Sequence, residues 1–341
     1  MARLIVLPVS PLGKGGYNTA VADDVSRLGE RDDDFTIVYP HPGQPLPDGV
    51  ATIKRPSKLS ALRLMNTIRM RSSTETTPAQ IKAVTGDRKF DEIFCGETTF
   101  YRSLRALYPN QRMMVRFHNF FSLPRCRQEF HQYKIAPIFK LNLSMFSRLE
   151  REICRDPLAD IILIAHAEKD FLQLQYPGRN IRVWNPPIEV ASERKTPTVA
   201  RLAYMGSLAH HQRDGMKYFI EKVMPALRRK RPNLQFHMFG NGSEQWNNPS
   251  AGVHGHGFFD GEGMPLDGDA LFICPDLLGG GIKIKVGDWL TWGLPFITTR
   301  YGLDGYNLPE MDNVLVSELD DWVNSIPAYF DQIGAREEST S

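Results

Sequence analysis

Apolar residues along the 341-residue chain gather into short runs separated by stretches of helical spacing. Leu4–Val9, "FTIVYP" (35–40), "DEIFCG" (91–96), "RMMVRFH" (112–118), "ADIILIAH" (159–166) and "IRVWN" (181–185) read as strands. Between them, Tyr17–Gly29 repeats apolar residues at Val21, Val25 and Leu28, and "FYRSLRALY" and "SMFSRLEREICR" carry the same helical period. Alternation of this kind predicts a parallel sheet with helices on both faces.

The segment "NPPIEVASERKTPT" (185–198) is rich in Pro and charge, lacks periodicity and reads as a linker. The pattern then restarts with "ARLAYMG", the helix "GMKYFIEKVMPALRRKR", "LQFHMFG", "ALFICP", a helix over 282–292, and "LPFITT". Single cores stop growing near ~250–300 residues, so two domains fit the length. The expected division is 1–185, a linker at 186–198, a second domain at 199–325 and a helix or tail at 326–341. Two doubly wound Rossmann-like domains joined once would leave a cleft between them.

One stretch does not suit a plain core. In "LLGGGIKIKVGDWLTWGLPFITT" (277–299), three glycines, two lysines and an aspartate interrupt an apolar run. The glycines fall in a strand-to-helix loop at the carboxyl end of a sheet, where open α/β folds bind ligands. Glycine lets backbone approach a ligand, and the following helix start offers free N–H groups to an anion. Lys285 and Asp288, three residues apart, share one helix face. An ammonium suits phosphate and a carboxylate suits the two hydroxyls of a ribose, so a nucleoside diphosphate fits. A plain Lys285–Asp288 surface pair is the competing reading, and it leaves the glycines unexplained.

Composition narrows the class. With 42% hydrophobic and 23% charged residues the chain is an ordinary globular one. No run reaches the ~18 apolar residues of a membrane span, and the start carries no cleavage-site pattern. Cys95, Cys126, Cys154 and Cys274 are widely spaced, which suits a reduced cytoplasmic setting. Residues 1–185 hold 27 Lys and Arg against 19 Asp and Glu; the remainder hold 14 against 20. That asymmetry points to an anionic partner of the first half or to chance on a solvated surface. The segment 54–73 has six basic residues and an apolar stripe, so it either meets an anionic membrane at the inner face or packs on its own sheet. A mild net charge of +2 argues against nucleic acid.

Other motifs exclude more than they assign. "GKGG" (13–16) lacks the Walker pattern and completes no G-x-G-x-x-G, and the second strand ends without an acid, so NAD is not expected. His254 and His256 have H-x-H spacing but no clustered acid or Cys, and they read as ordinary strand histidines with no metal. Glu97 either orients an acceptor or caps the next helix.

From 202 to 308 the order of motifs resembles the retaining GT-B glycosyltransferases of family 4, the glycosyl transferases group 1. "GGGIKIKVGDWLTWGLPFITT" follows their donor segment, "LAYMGSLAHHQRDG" their first turn, and "TTRYGLDGYNL" their Gly-x-acid-Gly loop. "PLGKGGYNTA" and "VRFHNFF" resemble their N-terminal glycine loop and His-bearing strand end. Asp288 stands for the family's second glutamate, Gly280 for its first, and Ser207 for its usual Arg, with Arg213 or His211 as substitute phosphate contacts. The resemblance implies donor contacts at Gly15, Gly16, Gly206, Ser207, Arg213, Gly279, Gly280, Gly281, Lys283, Lys285, Asp288 and Asp304, and His118 at the reacting sugar. It implies sugar transfer with retention and without a metal or other cofactor. The donor would be a UDP- or GDP-sugar and the acceptor a glycan or lipid-linked saccharide. A nucleotide-sugar epimerase of the same fold and a non-catalytic partner that has lost turnover are the alternatives.

Overall fold

The computed structural model describes residues 2–12, 16–39, 44–53, 75–120, 122, 137–186, 188–206, 208, 210–259, 264–277, 281–306, 311 and 313–335. Side chains of residues 16, 17, 137–140, 142 and 210–212 are not described. The chain divides into two compact units, Met1–Pro186 and Pro187–Ser341.

In the first unit the strands are β1 (Arg3–Leu7), β2 (Asp34–Val38), β3 (Ala51–Thr52), β4 (Glu92–Cys95), β5 (Met113–Arg116), β6 (Ala159–Leu163) and β7 (Ile181–Val183). They form one parallel sheet in the order β3-β2-β1-β4-β5-β6-β7. The helices are α1 (Gly16–Leu28), α2 (Pro78–Thr85), α3 (Tyr101–Leu107), α4 (Pro137–Arg155) and α5 (His166–Gln175). Burial on both faces explains the continuous apolar strands: Leu4, Val6, Ile93 and Ile161 pack on one side, and Ile5, Leu7, Phe94 and Ile162 on the other. Helix α2 starts where its sequence says it should. Thr77 and Gln80 form a reciprocal capping box, with Pro78 at the first helical position.

The second unit repeats the plan. Its strands are β8 (Arg201–Met205), β9 (Gln235–Phe239), β10 (Val253–Gly255), β11 (Leu271–Cys274), β12 (Phe296–Thr298) and β13 (Val314–Val316), in the order β10-β9-β8-β11-β12-β13. Helix α6 (His210–Tyr218) runs through a π turn at Phe219–Val223 into α7 (Met224–Lys230). The wider turn sits just before Pro225, which has no N–H to donate and would crowd the carbonyl one turn back. The single helix expected over 215–231 is therefore one continuous run with a bulge. Helices α8 (Ile284–Thr291) and α9 (Trp322–Ile333) complete the unit. As expected, Gly293 ends α8, in the left-handed conformation at φ +67°.

Both sheets reverse direction of growth at one point, between β1 and β4 and between β8 and β11. Crevices for ligands form at such points, outside the carboxyl ends of the strands. The second one is framed closely. A Cβ on Gly215 of α6 would lie 1.8 Å from the Pro275 carbonyl oxygen, so only glycine lets α6 rest on the loop after β11. Gly215→Ala is expected to cost about 1–3 kcal/mol by overpacking, measured by denaturant unfolding. An unchanged midpoint would mean the loop yields freely.

Candidate functional site

Lys285, in the first turn of α8, has a side chain 9% exposed and reaches back to the loop after β11. Its Nζ donates to Asp276 Oδ1 at 3.1 Å and to the Tyr204 hydroxyl at 3.4 Å, and lies 4.7 Å from the Tyr204 ring centroid. Burial is the largest influence and works against the ammonium, but the Asp276 carboxylate, together with Cys274 and Tyr204 beside it, holds the lysine well above its ordinary pKa. Burial pushes the Tyr204 phenol up to about 12, so it stays protonated. The competing reading, a plain Lys285–Asp288 surface pair, does not hold, because the Lys285 side chain turns toward β11 and pairs with Asp276.

Three strand ends converge here. Gly206, directly after β8, has φ +142°, and a Cβ there would sit 3.4 Å from the Tyr204 hydroxyl and 3.7 Å from Lys285 Cδ. Asp276 follows β11, and the Thr299 hydroxyl after β12 donates to its backbone carbonyl. Gly281 takes φ +67° just ahead of α8, and the Lys283 side chain makes no capping bond at the helix start. First-turn N–H groups of a helix without such a cap are suited to an anion.

The remaining candidates are spread around this centre. Asp288 is half-buried, and burial raises its carboxyl to about 6. Lys283 is buried, and its carbonyl accepts the Tyr306 hydroxyl at 2.7 Å, tying the Asp304 loop to the start of α8. Asp304 is half-buried in that loop. Arg213 is exposed on α6, 3.5 Å from Gln245 Oε1 and 5.9 Å from the Trp246 ring centroid. Ser207, Gly279, Gly280, Gly15 and the segment 54–73 lie outside the described residues, as does the side chain of His211; Gly16 opens α1.

In the first unit His118 follows β5 and is buried, its Nε2 3.5 Å from Asp24 Oδ2. Burial and the adjacent Arg116 hold its pKa well below the ordinary value, so the imidazole is neutral. Arg116 donates to Asp24 at 2.9 Å and to the carbonyls of Leu163 and Trp184 at 2.7 and 2.8 Å. Glu97 caps the next turn, accepting from Thr98 N at 3.0 Å. His254 bonds Gln235 at 2.6 Å and His256 bonds His237 at 3.0 Å. Among the described residues no group of three His, Cys, Asp or Glu could hold a metal ion, and no helix is long and apolar enough to cross a membrane.

Sequence reading missed Asp276, Tyr204 and Asp24. The first two had a signal: Tyr204 lies near the carboxyl end of one predicted strand and Asp276 directly follows another, ahead of the glycine loop. Asp24 had none, being 92 residues from the arginine it meets.

Residues 200–330 match the family model described as glycosyl transferases group 1. The second unit is a glycosyltransferase domain of that group. Over the whole chain the fold is GT-B, as three solved structures show. Sucrose-phosphate synthase from Thermosynechococcus elongatus aligns with TM-score 0.68 at 14% identity, covering 99% of this chain and 92% of its own. HepE from Anabaena, solved with UDP and glucose, gives 0.58 at 13%, covering 98% and 91%. WaaG, a glycosyltransferase involved in lipopolysaccharide biosynthesis, gives 0.54 at 14%, covering 97% and 90%. No curated protein matches the sequence. The resemblance read from the motifs is borne out at the level of family and fold.

Proposed function

We propose that the chain transfers a sugar from a nucleoside-diphosphate donor to a glycan or lipid-linked acceptor, with the second unit holding the donor. The observation that carries this reading is the Lys285 ammonium, paired with Asp276 beside Gly206 and at the start of α8, where the Lys283 side chain forms no cap. A departing diphosphate needs preorganised positive charge where its own charge grows, and a cation with helix N–H groups supplies it without reorganisation. Gly206, Gly281 and Lys283 would let the backbone approach the phosphates, with Ser207, Gly279 and Gly280 as their neighbours. Arg213 would assist from α6.

Retention follows in this reading from a scheme in which the leaving phosphate takes the acceptor proton on the face it departs from. No protein nucleophile is then required. The positive charge is assigned to Lys285 and α8, so transfer that continues in excess chelator supports the metal-free scheme and its loss in chelator sinks it. HepE was solved with UDP, which supports uridine diphosphate as the first donor nucleotide to test. The basic surplus of residues 1–185 supports an anionic carrier or glycan as acceptor.

Asp288 gives the reading a pH signature. Both hydroxyls of a ribose can donate to a carboxylate, whereas a carboxylic acid turns one of its oxygens into a donor and loses the charge, and burial holds this group at about 6. Nucleotide affinity should therefore fall as the pH drops through about 6. Asp288→Asn should lose about 10- to 100-fold at pH 7.5, the range for hydrogen bonds to a charged group, and show no inflection near 6. Titration calorimetry at pH 5.0 and 7.5 checks both; equal affinity of variant and native protein at pH 7.5 would remove Asp288 from the site.

A further inference from the structure

The first unit carries a cavity at the amino-terminal end of its sheet, the end opposite His118. Its volume is about 520 Å³, within the range of about 300–1,000 Å³ that small-molecule sites occupy. The last turn of α1 and the starts of β4, β5 and β6 form its walls. Trp184, half-buried, contributes its indole, which stacks on Phe94 with centroids 6.0 Å apart at 15°.

Most guanidinium groups in the wall are already committed. Arg31 pairs with Glu92 at 2.8 Å, Arg112 with Asp160 at 3.0 Å, and Arg3 with Asp34. Arg182 differs. Its guanidinium lies 5.7 Å from the Trp184 ring centroid, has no ion pair or hydrogen bond among the described residues, and has a buried Nε without a partner. A buried donor left unsatisfied is costly, and native structures rarely keep one unless something else fills it. Asn110 and Gln111 add two amide side chains, likewise without hydrogen bonds among the described residues.

We propose that this cavity binds a short saccharide segment bearing a carboxylate, separately from the donor site. A pyranose has an apolar C–H face and an edge of hydroxyls. The indole suits the face, and the amides together with the Arg31–Glu92 and Arg112–Asp160 pairs suit the hydroxyls. The uncommitted planar fork of Arg182 matches a carboxylate, and a point cation would match it less well. Such a site would hold an acidic glycan on the first unit between or during transfers. It does not depend on which residues bind the donor.

The test is titration of the full chain, by ligand-observed NMR and calorimetry, with a glucuronate-containing disaccharide, a neutral glucose disaccharide and UMP. The acidic disaccharide should bind saturably and at least about tenfold more tightly than the neutral one, as a charge-assisted hydrogen bond requires. Arg182→Gln should abolish that preference, and Trp184→Leu should weaken both saccharides. Because Trp184 also packs on Phe94, Asn110→Ala serves as a second variant and should weaken both saccharides too. Binding of the acidic disaccharide should persist in Lys285→Met, so this site and the donor site can fail independently. No saturable saccharide binding overturns the proposal. So does a preference that survives Arg182→Gln, or displacement of the acidic disaccharide by UMP.

Discussion

Asp276→Ala is expected to destabilise the second unit by about 3–5 kcal/mol, the cost of stranding one partner of a buried ion pair. For a unit of this size that lowers the melting temperature by roughly 6–20 °C. The side chains of Asp276 and Lys285 are 1% and 9% exposed, so water cannot replace the lost carboxylate around the ammonium. Replacing both, as Lys285→Met with Asp276→Leu, should recover most of the stability, since apolar groups of similar volume fill such sites without an unpaired charge. The double variant should still fail to bind nucleotide. Denaturant unfolding of the two single variants and the pair measures the coupling. A single-variant cost well under 1 kcal/mol would mean that the pair is solvated and not a fixed part of the site.

A similar loss is expected in the first unit from Asp24→Ala. Asp24 and Arg116 are 1% and 0% exposed, and removing the carboxylate leaves a buried guanidinium whose remaining partners among the described residues are the Leu163 and Trp184 carbonyls. The cost should again be about 3–5 kcal/mol, with Asp24→Asn restoring part of it through an oxygen that accepts from Nε. Burial, working against the pull of Arg116, holds the Asp24 carboxyl up at about 6, above its ordinary 3.8. A folded state with the higher pKa takes up the proton first, so this group's contribution to stability grows as pH falls from about 6 to about 4. It is lost as pH rises through about 6. The native protein should therefore gain stability relative to Asp24→Asn between pH 7 and pH 5. A difference that shrinks over that interval would contradict the placement of Asp24.

Much of the architecture could be read from the chain because buried parallel strands write themselves as unbroken apolar runs. "RLIVL" and "LFIC" are wholly buried strands, and Gly293 stops its helix for the backbone reason expected. Strands β3 and β13, two and three residues long, carry too little pattern to separate from loops. The site was legible as a place but not as a set of contacts. Helical spacing put Asp288 beside Lys285, because period 3.6 is the only geometry a sequence reader has for that stretch. The ion-pair partner of Lys285, Asp276, lies nine residues upstream, ahead of the glycine stretch, at a separation that no helical period relates. His118 was identifiable by its strand end, yet its neutrality is set by burial and by Arg116, and its contact with Asp24 of α1 is a tertiary one.

The central claim is that the second unit binds a nucleoside diphosphate through Lys285. The direct measurement is thermal unfolding of the native chain and of the Lys285→Met, Asp276→Leu variant, each with UDP, GDP, dTDP, ADP and CMP. At a hundred times Kd the right diphosphate should stabilise the native chain by about 2.7 kcal/mol and leave the variant unchanged. A shift with none of the five, or an equal shift in both proteins, would contradict the account.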